Sequence, residues 1–244
     1  KNDWFYRLNN VNQVDKRLFC FPYAGADAYV FQDWANKLPA NVELFALQSP
    51  GRKERNQEVP IDDIHVLVNL AADAIEEFCD RPIYFYGHSN GTYIAYELAL
   101  VLKERGVTSL AHIFIAARKA PKYAQRIDSY HTMDDQQFVK ALTRLGGMPK
   151  MMMNDKELQN TLLPMLRADF KLGETYRSRN QFLETKATLF YGTRDKTAKK
   201  EDVEEWKELL VGCENINAIP GKHFFLHEQP SLILREINKV LETV

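Results

Sequence analysis

The chain has 244 residues, 45% hydrophobic and 27% charged, with a formal net charge of −1: an ordinary globular composition with no bulk attraction to nucleic acid or to an anionic membrane. Residues Lys1–Asn12 show no cationic region followed by an apolar stretch, so no secretory signal is expected, and no run approaches the ~20 apolar residues of a membrane span. Cys20, Cys79 and Cys213 lie far apart without a C-x-x-C pair, which fits reduced thiols and a cytoplasmic location.

Short apolar, β-rich runs alternate with longer helical patterns. The first run, Arg17–Phe21, precedes a helical candidate at Tyr29–Lys37. Val42–Leu47 precedes Asp62–Phe78, and Ile83–Tyr86 precedes Thr92–Glu104. Ala111–Ala116 follows. After an interruption come Ala187–Tyr191, a helical candidate at Asp202–Leu210, Asn215–Ile219, and a last helix at Leu232–Leu241. The alternation predicts an α/β chain with a mostly parallel central sheet and helices on both faces. The runs are continuously apolar, as parallel strands buried on both faces should be.

The interruption spans residues 119–179 and contains helical patterns without a convincing strand. Asp134 is placed to cap a helix whose core face includes Phe138, Leu142 and Leu145 and which ends at Gly146-Gly147. A second segment is expected at Asp155–Leu163, with Pro164 starting a third through Phe170 to Tyr176. Such an insert reads as a helical lid on a core made of residues 1–118 and 180–244. Simple completion of the core is the plainer reading. Met148, Met151, Met152 and Met153 suit either an adaptable apolar surface or irregular core gaps.

Gly87-His88-Ser89-Asn90-Gly91 matches G-x-S-x-G between a strand and a helical pattern. That is the nucleophile-elbow context of the α/β-hydrolase fold. A strained turn there lifts the serine hydroxyl above the sheet, and the helix N-terminus offers backbone N–H groups to a developing oxyanion. His88 adjoins Ser89 but points away on such a turn, so it reads as a packed, hydrogen-bonded histidine. Chain order then calls for an acid and a histidine downstream. Of the six histidines, His223 and His227 compete, both beyond the last strand run. His223 is nearer the strand end and directly follows the turn Pro220-Gly221. His65 reads as a surface residue, His112 begins a strand and His131 lies at the entrance to the insert. Asp195, in Gly192-Thr193-Arg194-Asp195, occupies the loop after the penultimate strand. A plain turn or capping role is the commoner fate of such an aspartate, but the order Ser89, Asp195, His223 favours the acid. For the oxyanion hole, the plan requires backbone N–H groups from Asn90 and from the loop Pro22–Ala26, where Ala24 is the candidate. An ordinary turn would use Gly25 equally well.

Taken together, these segments resemble the stand-alone type II thioesterases of nonribosomal peptide and polyketide synthesis. Phe21-Pro22-Tyr23-Ala24-Gly25 is similar to F-P-x-A-G-G, and Ser49–Arg55 to a P-G-R-x-x-R stretch. Gly87–Gly91 is similar to G-H-S-M-G, Leu145–Pro149 to L-G-G-x-P, and Pro164–Asp169 to P-x-x-R-A-D. Gly221–Leu226 is similar to G-x-H-F-F-L, which favours His223 over His227. The resemblance implies Ser89 as nucleophile, His223 as base, Asp195 as acid, and Ala24 and Asn90 as oxyanion donors. It implies a substrate acyl group on the phosphopantetheine arm of an acyl or peptidyl carrier domain, an editing role, and no metal or cofactor of the enzyme's own. Met148, Met151 and Phe170 are candidates for the lid-side pocket, with ordinary lid packing as the alternative. Two departures stand out. Asn90 replaces a methionine and places a polar side chain near the acyl site. Ala26 replaces a glycine and would cost about 1 kcal/mol or more if that position needs a positive φ. The same triad would also serve a small-ester hydrolase or an acyltransferase, and the fold alone would serve a binding protein.

Overall fold

Runs of aromatic and branched residues assemble into a single sheet in the computed structural model, which describes residues 2–121, 129–146 and 155–243. The strands are β1 (Phe5–Arg7), β2 (Lys16–Phe21), β3 (Val42–Leu47), β4 (Ile83–His88), β5 (Leu110–Ala116), β6 (Leu183–Gly192) and β7 (Leu210–Ile219). Their order is β1-β3-β2-β4-β5-β6-β7. All pairings are parallel except β1 on β3. Every residue of β3 and β4 is buried, because helices cover both faces of these central strands.

One face carries α1 (Ile64–Ile75) and α2 (Asn90–Glu104), with Leu67, Ala71 and Ile75 packed toward Phe19, Phe45 and Phe85. Asp63 starts α1 by accepting hydrogen bonds from the His65 and Val66 amides. The segment Lys200–Glu204 (α5, after two helices named below) and Trp206 join the same core. The opposite face carries α6 (Phe225–Glu228), α7 (Pro230–Glu242) and a 3-10 helix at Ala28–Lys37, with Phe31, Trp34, Ile233 and Ile237 as anchors. Among the described residues no helix is long and apolar enough to cross a membrane.

Between β5 and β6 lie α3 (Asp135–Leu145) and α4 (Lys156–Glu174). As expected, Asp134 caps α3 through the Gln137 amide, and Gly146 ends it at φ 77°. Phe138, Val139 and Leu142 of α3 meet Leu163, Met165 and Leu166 of α4 in a third hydrophobic cluster. Pro164 does not begin a new helix. It lies inside one continuous α4. Pro164 and Asn160 are both exposed, so the Asn160 carbonyl that loses its helical donor faces water rather than the core.

Candidate active site

The parallel register sets Phe21 beside Gly87, His88 beside Ala116, Ala116 beside Phe190 and Gly192 beside Ile219. The loops after β2, β4, β6 and β7 therefore leave the sheet at one edge, where ligands of such sheets bind.

Ser89 joins β4 to α2 at φ 54°, ψ −119°, a strained conformation for a residue with a Cβ. Several contacts enforce it. The Ser89 amide donates to the Ala116 carbonyl at 2.9 Å. The Thr92 hydroxyl lies 3.0 Å from each of the Gly87 and Ala116 carbonyl oxygens. A Cβ on Gly87 would come within 2.5 Å of the Gly91 carbonyl oxygen, and one on Gly91 within 1.9 Å of the Phe21 carbonyl oxygen. Gly87 thus lets the start of α2 fold back on β4, and Gly91 lets the serine turn press directly against the backbone at the end of β2.

Ser89 Oγ lies 3.0 Å from His223 Nε2, and His223 Nδ1 lies 2.8 Å from Asp195 Oδ2. A carboxylate can only accept, so Nδ1 carries the imidazole proton, and Nε2 is left to accept from the serine hydroxyl. The Asp195 side chain is fully buried and that of His223 is 21% exposed. Burial alone would raise the Asp195 pKa. The hydrogen bonds and charge of His223, with the Thr197 bonds, outweigh it and hold the carboxyl below its usual range. The loops that carry Asp195 and His223 are also tied together, since the Arg194 amide donates to the Gly221 carbonyl at 2.8 Å.

Thr197 was not visible as a site residue in the sequence. Its amide and hydroxyl each lie 2.8 Å from Asp195 Oδ1, and its hydroxyl lies 2.9 Å from His223 Nδ1. The Asx turn it forms with Asp195 would have been the only local clue.

The remaining histidines fall elsewhere. His227 meets the Tyr23 hydroxyl at 2.9 Å. His65 is partly exposed, with Nε2 3.1 Å from the Arg177 carbonyl oxygen. His112 is buried against the Thr188 hydroxyl at 2.9 Å. His131 pairs with Glu174 within the insert. His88 is buried as expected, and its Nε2 lies 2.7 Å from the backbone oxygen of His223.

Ala24 and Asn90 both line a cavity of about 20 Å³, with Leu47, Leu67, Ile94 and Leu172 on its apolar side. Among the described residues neither backbone amide donates to a protein acceptor. Two backbone N–H groups without a protein acceptor, on residues that line one small space, are the kind of donor an oxyanion needs. The Ala26 substitution carries no backbone penalty. The loop's positive φ falls on Gly25, at 85°, and Ala26 is not among the positive-φ residues. The Asn90 side chain turns toward α4, with Nδ2 donating to the Asp169 carbonyl at 2.7 Å.

Phe170 is not on the cavity. It stands edge-on to Phe138 and Tyr130 at ring distances of 5.4 and 5.7 Å, against the third hydrophobic cluster. One helical step of about 100° from Asp169 turns it toward α3 instead of the core. Met148 and Met151 lie outside the described residues. Among the described residues no group of three or more His, Cys, Asp and Glu side chains is disposed to hold a metal ion.

The thioesterase-domain family profile matches residues 16–241. The chain belongs to the thioesterase family. Members similar to this thioesterase chain include the gramicidin S biosynthesis protein GrsT of Aneurinibacillus migulanus, 34% identical over 100% of this chain and 95% of that protein. Thioesterase PikA5 of Streptomyces venezuelae is 31% identical over 96% of this chain and 84% of its own length. Among solved structures, the type II thioesterase BorB from the borrelidin biosynthetic cluster aligns with a TM-score of 0.88 at 29% identity, over 97% of this chain and 96% of its own. The family's fold is the α/β-hydrolase fold that the serine turn called for.

Proposed function

We propose that this thioesterase removes acyl groups from the phosphopantetheine arm of carrier domains, as an editing enzyme of a nonribosomal peptide or polyketide pathway in the cytoplasm. The observation that carries the chemistry is the continuous chain Ser89–His223–Asp195, at 3.0 and 2.8 Å. Kinship with GrsT and PikA5 supports the pathway.

In this reading Ser89 Oγ attacks the thioester carbonyl carbon while Nε2 of His223 takes its proton. The tetrahedral oxyanion is held by the Ala24 and Asn90 amides. Collapse breaks the C–S bond, and the pantetheine sulfur leaves with the proton from Nε2. Water, deprotonated by the same nitrogen, then attacks the acyl-serine, and the carboxylic acid leaves as Ser89 regains its proton. Asp195 stays ionised throughout and stabilises the imidazolium. The enzyme needs no metal or cofactor for these steps. The helices between β5 and β6 cover the acyl site and offer a docking surface to the carrier.

The test compares an acyl-pantetheinyl carrier domain with a nitrophenyl ester of the same acyl group. The carrier thioester is expected to give the larger kcat/KM, and Ser89→Ala to lose at least about 10³-fold of kcat. Mass spectrometry of trapped protein should place the acyl group on Ser89. Preference for the oxygen ester would overturn the substrate assignment, and undiminished turnover by Ser89→Ala would overturn the nucleophile.

A further inference from the structure

Three sequence motifs remain without a role in the steps above: Arg52 in the stretch after β3, Gly25 in the loop after β2, and Asp169 on α4. They meet at one point. Asp169 Oδ1 accepts from Arg52 Nη2 at 2.7 Å, and Oδ2 accepts from Arg52 Nη1 at 2.9 Å and from the Gly25 amide at 2.7 Å. Arg52 Nη1 also donates to the Ala26 carbonyl at 2.7 Å. The Asp169 backbone oxygen meanwhile receives the Asn90 side chain. One residue of the lid helix therefore holds both segments that carry the oxyanion amides.

The contacts are aimed at backbone orientation. The Ala26 amide donates to the Tyr23 carbonyl at 3.1 Å, and Gly25 has φ 85°, the features of a type II turn over Tyr23–Ala26. The outward N–H of its central peptide is the one that the Asp169 carboxylate receives, so the pair fixes which way that peptide faces and, with it, the adjoining Ala24 amide. On the other side, Asn90 lies flat on the helix. A Cβ at Gly173 would come within 2.3 Å of Asn90 Oδ1, so the absence of a side chain there sets how closely α4 approaches the serine turn. Arg52 and Asp169 are 8% and 11% exposed, and Arg52 Nε is buried without a partner. A buried ion pair with an unsatisfied nitrogen is a poor device for stability. Its geometric consequence is what it supplies.

We infer that Asp169 is a positioning residue which, with Arg52, sets the oxyanion hole from the lid, so that the hole is complete only when α4 is seated on the loop after β2. This rests on the catalytic reading above. Because the oxyanion forms only during reaction, loosening its donors should lower kcat and leave KM nearly unchanged.

The test uses the full-length chain with Asp169→Asn, and Arg52→Lys as a milder variant that keeps a cation beside the carboxylate but cannot form the fork. Turnover of an acyl-pantetheinyl carrier is measured with the affinities of two pantetheine analogues. A trifluoromethyl ketone forms a tetrahedral adduct on the serine, and an unreactive thioether mimics the ground state. Deleting one oxyanion donor outright typically costs 10²–10³ in kcat, so a displaced donor should cost about 10–100-fold. The ketone should weaken by a similar factor, and KM and thioether affinity should stay within about twofold. If Asp169→Asn does not fold, Arg52→Lys alone decides. Wild-type kcat and ketone affinity in a folded variant would overturn the inference, as would a fall in kcat without weaker ketone binding. Undiminished turnover by Ser89→Ala would instead overturn the catalytic reading, so the two failures are distinguishable.

Discussion

A fully buried histidine must be neutral or compensated, and His88, next to Ser89, is neutral. Burial is the main cause that pushes its pKa down to about 3. The His223 carbonyl can only accept, so His88 Nε2 carries the proton, and Nδ1 accepts from the Tyr86 hydroxyl at 3.2 Å. His88 thus holds the His223 backbone without touching the Ser89–His223–Asp195 hydrogen bonds. Unfolded, this imidazole binds a proton below about pH 6.5, whereas folded it does so only near pH 3. In that window the unfolded state holds more protons, so stability falls as pH falls. Between pH 6.5 and 5 the loss from His88 should be roughly 1–2 kcal/mol. His112, lowered to about 4 mainly by burial, acts in the same direction. Asp195, with its lowered pKa, loses its contribution only as pH falls below the ordinary carboxylate range. Urea unfolding at pH 6.5 and 5 should therefore show a smaller stability difference for His88→Gln than for the parent. Equal differences would mean that His88 is not buried in its neutral form. Ser89 and its glycines were legible as a local motif because strand, turn and helix are contiguous. The roles of Thr197 and Asp169 were not: although Asp169 closes the Pro164–Asp169 motif, Gly25 and Arg52 reach it, and His223 reaches Thr197, only in the folded chain.

Among the elements, those with strong periodicity or continuous burial were the ones the sequence disclosed. β3 spans the expected Val42–Leu47, since all its side chains are apolar or tucked into the core. β1 went unread because three residues cannot establish a period, and its pairing depends on β3. The half-exposed edge strand β7 begins at Leu210, ahead of the expected Asn215, because Gly212 and Glu214 interrupt its apolar pattern. The Ala28–Lys37 segment has a helical apolar face but winds as a 3-10 helix. Pro164 misled in the opposite direction, since tertiary packing of Leu163, Met165, Leu166, Asp169 and Leu172 carries α4 through it. A helix-interior proline costs about 3 kcal/mol, partly offset by about 1 kcal/mol gained from restricting the unfolded chain. Pro164→Ala should therefore stabilise the protein by about 1–2 kcal/mol. Its exposed position makes loss of packing a small term. A higher melting temperature is the expected result, and an unchanged or lower one would show that α4 is not regular at this turn.

At the scale of the molecule, two hydrophobic clusters share the sheet and the third does not. The third cluster joins α3 to α4, and Arg167 reinforces that union by donating to the His131 carbonyl at 2.9 Å and pairing with Asp135 at 2.6 Å. α4 is fixed to the rest of the protein chiefly through its C-terminal half. There Asp169 meets Arg52, Lys171 reaches Asp62 at 2.6 Å, and the chain just beyond is anchored by buried Glu97, which binds Tyr176 at 2.5 Å and Arg179 at 2.9 Å. Cooperative opening follows such boundaries, because a unit with its own small core separates with less loss of buried surface than a helix embedded in the main core. α2 is the opposite case, buried from Asn90 through Leu102. Native-state hydrogen exchange should therefore show α3 and the first turns of α4 opening together, at a free energy at least about 2 kcal/mol below that of α2 and β4. The C-terminal turns of α4 should be protected more strongly than the first, and Asp169→Asn should reduce that difference by releasing the helix from the loop after β2. Equal protection in α3 and α2 would show that the insert and the sheet unfold as one unit. In that case α4 could not leave the loop after β2 independently of the fold, and the proposed oxyanion amides of Ala24 and Asn90 would be held in place permanently.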